Sequence, residues 1–149
     1  MGLDMYLYKR SWIQSSEWVK PEFREKIKMT RGGETVDTSR IKYVIEEMGY
    51  WRKANAIHRW FVEKVQGGTD DCGEYRVTRE QLEELKADCE RALAEEHSRE
   101  EVMPTQSGFF FGSTEYDDYY ESDLKRTIEI VEDCLSEKEA DDFYYWSSW

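Results

Sequence analysis

At 149 residues the chain has the length of one domain, enough to bury roughly 68–70% of the surface its unfolded form exposes. Apolar residues make up only 39%, but 22 aromatic side chains, each burying a large area, favour an ordered core over a disordered acidic chain. The formal charge of −12 is unevenly divided, with 13 Lys/Arg and 9 Asp/Glu in residues 1–66 (net +4) and 8 and 24 in residues 67–149 (net −16), and a field of that sign disfavours direct nucleic-acid binding.

The chain opens on an alternation of Leu3, Met5 and Leu7 with Asp4, Tyr6 and Tyr8, which predicts a half-buried strand over residues 2–8. Residues 10–40 show no sustained period. Trp12, Ile13, Trp18 and Val19 read there as local anchors, set off by Pro21, and Arg31-Gly32-Gly33 between short alternating runs predicts a hairpin. From Ser39 onward Val44, Met48, Trp51, Asn55, His58, Val62 and Val65 recur at three- and four-residue steps, the pattern of a long central helix ended by Gln66-Gly67-Gly68. Gly49 costs about 1 kcal/mol inside a helix and marks either a break or the close approach of another element.

Thr69 to Gly73 reads as a turn and residues 74–77 as a short strand. Thr78-Arg79-Glu80-Gln81 fits a capping box opening a helix with Leu82, Leu85, Cys89, Ala92 and Leu93 inward, ending near His97-Ser98. The stretch Met103 to Tyr120 anchors the chain. Its Phe109-Phe110-Phe111, between Gly108 and Gly112, predicts a buried strand or wedge, since each buried phenylalanine contributes roughly 1.5–3 kcal/mol, and Thr105-Gln106-Ser107 becomes a rigid polar floor beside it. Ser113 or Thr114 then caps a third helix, with Glu115, Asp117 and Asp118 in its first turn and Tyr120, Leu124, Ile128, Val131 and Leu135 buried. The terminal DFYYWSSW is too aromatic for a free end and reads as a last strand. Together these elements predict one α+β domain over residues 1–149: three helices on one face of a small, mostly antiparallel sheet that includes the N-terminal strand and the Phe109–Phe111 segment, with Phe61, Phe110 and Ile128 in the core.

Chemistry is sparse. Cys72, Cys89 and Cys134 form no close-spaced pair and leave one thiol over in any disulfide scheme, which fits a reducing compartment. MGLDMYLYKR has no long apolar core, so neither a signal peptide nor a membrane span is expected, and Tyr6 stands where a myristoylation signal wants Ser or Thr. The expected location is the cytoplasm. His58 and His97 are the only histidines, with no CxxC, HxxxH or calcium-loop pattern, and there is no P-loop or GxGxxG, so the sequence implies neither a metal nor a cofactor. A Cys/His enzyme built from His58, Asp71 and Cys72 lacks any local nucleophile signature. The distinctive polar group is Arg52, Asn55 and Arg59, flanked by Trp51 and His58, which together with Gln106 and Ser107 suits a small polar, anionic or nucleotide-like ligand, though a network tying helix to sheet uses the same residues.

The blocks MGLDMYL, YWRKANAIHRWFV, DCGEY, TQSGFFFGSTEYD and DFYYWSSW span nearly the whole chain, and in them it resembles a family of small bacteriophage and bacterial proteins with no assigned activity. The resemblance implies a phage or prophage accessory role, inhibition of host defence among them, and carries over no catalytic residue. Two readings follow. One is a binding protein whose pocket for a small polar ligand is formed by Trp51, Arg52, Asn55, His58, Arg59, Gln106 and Ser107. The other is an acidic inhibitor that presents Glu83, Glu84, Asp88, Glu90, Asp117, Asp118, Glu121 and Glu132 to a basic host protein as an imitation of a phosphate track.

Overall fold

In the computed structural model, which describes residues 2–149, the N-terminal alternation forms β1 (Asp4–Trp12), with Leu3, Met5 and Leu7 buried and Tyr6, Tyr8 and Arg10 on the opposite face. β1 is a central strand of a four-stranded antiparallel sheet ordered β4-β1-β6-β5, in which β4 is Tyr43–Arg52, β5 is Tyr75–Val77 and β6 is Asp142–Ser148. The terminal aromatic segment is thus an inner strand, and its Phe143 and Tyr145 are fully buried. A separate hairpin, β2 (Thr30–Arg31) and β3 (Glu34–Thr35), turns through Gly32 and Gly33 at φ of 59° and 83°, the left-handed pair a two-residue turn requires. Trp12 and Trp18, read as anchors, are instead 51% and 96% exposed, because the segment after β1 runs outside the core.

The helices are α1 (Asn55–Lys64), α2 (Arg79–Ala94), the single turn α3 (Arg99–Val102) and α4 (Asp118–Ser136). The architecture is α+β as expected, with one short helix more than predicted. The Thr78/Gln81 capping box is present in both directions and fixes the start of α2. Residues 67 and 68 end α1 in left-handed conformation, and the Gly68 amide donates to the Val62 carbonyl at 2.8 Å.

Three expectations need correction. The long central helix is half strand: residues 43–52 pair with β1, and only from Asn55 does the chain coil. A bulge opposite Leu7 and Tyr8 inserts Met48 as an extra residue, so Met48 and Trp51 both meet the core at a three-residue step that mimics a helical period. The Phe109–Phe111 segment is no strand. Gly112 at φ 82° and a Phe111 amide to Gly108 carbonyl bond turn the chain so the three rings diverge: Phe109 is 95% exposed, Phe110 half-buried and Phe111 buried. Of the three named core residues Phe61 is buried, while Phe110 and Ile128 are packed at the core's edge. Finally, Asp117, not Ser113 or Thr114, caps α4, accepting from the Tyr120 amide at 3.1 Å.

Candidate functional site

Asn55 organises the loop above α1. Its side-chain amide donates to the carbonyls of Phe111 and Ser113 at 2.9 and 2.8 Å, and its side-chain carbonyl accepts from the Gln106 amide at 2.9 Å. One buried amide therefore holds both strands of the loop from residue 105 to 117, the work of a structural clamp. Between that loop, the start of α1 and the start of α4 lies a pocket of about 230 Å³. It is lined by Arg52, Lys53 and the first turn of α1, by Glu115, Asp117 and Asp123, and by Ile57, Leu124, Tyr119 and Tyr120.

Among the described residues, Arg52, Lys53, Glu115 and Asp123 make no ion pair within 4 Å; Arg52, Lys53 and Glu115 are exposed to solvent and Asp123 is half-buried. The N-cap of α1 is Ala54, which has no side-chain oxygen to accept from the first-turn amides, and this helix start lines the pocket. Lys53 is held at φ 55°, a left-handed conformation costly for a residue with a side chain, and its stem crosses Gly112, where an added Cβ would lie 3.1 Å from it. Burial, reinforced by the neighbouring Asp117, lifts the Asp123 carboxyl to about 6.

Of the residues expected to bind ligand, only Arg52 and Asn55 line this pocket. Trp51 is core, its indole N–H donating to the Thr127 hydroxyl at 2.9 Å. His58 and Arg59 border a separate cleft with Gln106 and Asp70. Arg59 is drawn aside by Glu63 at 2.8 Å and the Thr105 carbonyl at 3.3 Å, and Ser107 is exposed outside both cavities. His58 is 1% exposed and spent at both ring nitrogens, on the Tyr145 hydroxyl at 2.6 Å and Asp70 at 2.9 Å; Trp149 donates to the other Asp70 oxygen. That leaves it no nitrogen for Cys72, and Asp71 is taken by Tyr75 and the Gly73 amide. Burial raises the thiols of Cys89 and Cys134, the latter to about 12, which keeps them protonated. Among the described residues no cluster of three or more His, Cys, Asp or Glu is placed to hold a metal, and no helix is long and apolar enough to cross a membrane.

The acidic residues of the second reading lie on α2 and α4, and most are engaged within the chain. Glu84 pairs with Lys64 and Asp88 accepts from the Trp60 indole. Lys86 bridges Glu90 and Glu132 across the two helices, Glu121 binds Arg99, and Asp117 caps α4. Glu83 and Asp118 are exposed without such partners.

Lys53 and Asp123 were missed in the sequence, where one looks like an ordinary surface lysine and the other like one more acid in an acidic helix. Only the fold brings them to one pocket. Comparison with protein-family models, curated proteins and solved structures shows no match to this chain.

Proposed function

We propose that the chain is a binding protein of the phage accessory type, which holds a small polar ligand bearing both an anionic group and a hydrogen-bond-donating, preferably cationic, group. The supporting observation is that Arg52, Lys53, Glu115 and Asp123, none of them in an ion pair within the chain, line one pocket. Opposite charges that do not meet each other are satisfied together by a ligand that bridges them. An anionic group sits between the two cations and the uncapped start of α1, and an amine or ring N–H donates to Asp123. Glu115, Asp117 and Asp123 repel a ligand that is anionic throughout, so nucleotides with a donor-rich base or phosphorylated amines fit better than polyphosphates.

Thermal-shift screening of nucleoside monophosphates, amino acids and phosphorylated amines, followed by titration calorimetry of any hit, tests this. The expected result is binding that weakens at least about tenfold in Arg52→Ala/Lys53→Ala, and equally in Asp123→Ala, but is unchanged in Arg59→Ala. Absence of any stabilising compound, or a hit lost only in Arg59→Ala, would remove the reading.

A further inference from the structure

The four-stranded sheet ends on one side in β5, three residues long, and on the other in β4, ten residues long. Along an antiparallel pair, residues that exchange both backbone bonds alternate with residues whose N–H and C=O point away from the partner. The Ile13 amide donates to the Lys42 carbonyl at 2.8 Å and the Lys53 amide to the Leu3 carbonyl at 2.7 Å, which sets that alternation from either end of β4. Counted inward, the backbone groups of Tyr43, Ile45, Glu47, Tyr50 and Arg52 face away from β1. At the pocket end one of them is taken up, because Arg126 of α4 donates to the Tyr50 carbonyl at 3.1 Å. Beyond the bulge at Met48, among the described residues, no hydrogen bond reaches the outward groups of Tyr43, Ile45 and Glu47. All three residues are exposed, Tyr43 by 56% and Ile45 by 57%. Edge strands are ordinarily short, bulged or covered, and residues 43–47 are a regular stretch left open.

We propose that residues 43–47 of β4 receive an extended, lysine- or arginine-bearing segment of a partner protein, added to the sheet as a further strand. The outward N–H and C=O groups supply the pairing, and charge selects the partner. Glu47 is in no ion pair, and Glu46, 53% exposed, shares Lys9 with Glu137. Helix α4 runs alongside, with Arg126 at Tyr50, Ile130 at Gly49 and Glu137 at Lys9. Helical spacing carries Glu129 and Asp133 onto the side that Arg126 marks, and both are exposed and in no ion pair among the described residues. Cations on the added strand therefore meet carboxylates from both β4 and α4. A second copy does not suit this edge, since it would set Glu46 and Glu47 of two chains side by side in molecules that each carry −12. The stretch lies at the end of β4 away from Arg52, so the proposal does not depend on the pocket.

A peptide of about nine residues that alternates lysine with isoleucine and valine is the probe, titrated by calorimetry against the full chain in about 50 mM NaCl, with backbone amide exchange followed by NMR. Binding should slow exchange of the Tyr43, Ile45 and Glu47 amides at least about tenfold. Methylating every central nitrogen of the probe keeps its charge and side chains but removes its donors, and should weaken binding at least about tenfold. Ile45→Pro removes an outward N–H that no strand of the sheet uses, and Glu47→Lys/Asp133→Lys reverses the local charge; each should weaken binding by a similar factor. No binding at about 1 mM probe, equal binding of the methylated probe, or protection that arises away from β4 overturns the proposal. So does protection of the same amides that grows with protein concentration in the absence of the probe, which would make a second copy the occupant.

Discussion

Asn55 shows how much one buried side chain can hold when all its hydrogen-bonding capacity is used. Removing it in Asn55→Ala leaves the Phe111 and Ser113 carbonyls and the Gln106 amide without their partner, at a cost of about 2–4 kcal/mol and roughly 5–15 °C in melting temperature. Asn55→Asp should be no better, since it loses both donations and sets a carboxylate against two carbonyl oxygens. Denaturant unfolding of both variants checks the order; a loss under about 0.5 kcal/mol in either would deny Asn55 the role of clamp. Asp123 makes a prediction of the opposite sign. Its folded carboxyl titrates near 6 against an ordinary 3.8, so the folded state holds the proton more tightly and stability is lost as pH rises between those values. Asp123→Asn removes that loss. Discounted for partial solvent screening, the variant should be about 1 kcal/mol more stable than wild type at pH 7.5 and no different near pH 3.5. Stability curves that stay parallel across this range would mean that Asp123 is not desolvated.

At the scale of elements, the crossing of α4 over β4 explains the glycine that the periodicity left ambiguous. A Cβ at residue 49 would lie 2.7 Å from Ile130 Cγ2, so Gly49 is there to let the helix approach. Gly49→Ala should cost about 1–3 kcal/mol through overpacking. Ile130→Ala removes the clashing atoms, so the double variant should be more stable than the sum of the single losses predicts, and simple additivity in a double-mutant cycle would place the strain elsewhere. The sequence was legible where one local rule acts alone: the β1 alternation, the Gly32-Gly33 turn, the Thr78/Gln81 box and the aromatic last strand. It was illegible where tertiary contact overrides the pattern. The bulge at Met48 imitates a helical step in β4, and the turn that ends in left-handed Gly112 leaves Phe109 in solvent although its composition argues for burial. The candidate pocket failed for a further reason. Its cations come from the end of β4 and its acids from the start of α4, about seventy residues later, and no spacing rule links them.

For the whole molecule, the question is whether its charge helps or harms the fold. Most ion pairs are solvent-facing, such as Arg10 with Glu74, Lys64 with Glu84 and Arg76 with Asp142, and pairs of that kind contribute about 0–1 kcal/mol each. Two are sheltered: the Lys9 side chain, 8% exposed between Glu46 and Glu137, and that of Arg99, 7% exposed, on Glu121. Burial alone would lower the Lys9 pKa, and its two carboxylates overcome that and raise it, so its contribution is present below pH 10.5 and is lost only as pH climbs through the raised value. Salt screens the exposed pairs and the general repulsion of a −12 chain alike, and acts less on Lys9 and Arg99, whose own side chains are sheltered. With the surface pairs weak and the repulsion summed over the whole surface, screening should remove more harm than help. Melting temperature should therefore rise by a few degrees as NaCl goes from about 20 to 500 mM at pH 7.5. The same series with Lys9→Met should run lower and close to parallel, since the ammonium it removes is itself sheltered, although Glu46 and Glu137 are 53% and 34% exposed. A melting temperature that falls with salt in both proteins would show that the surface network, rather than the pairs of Lys9 and Arg99, carries the electrostatic stability of this fold.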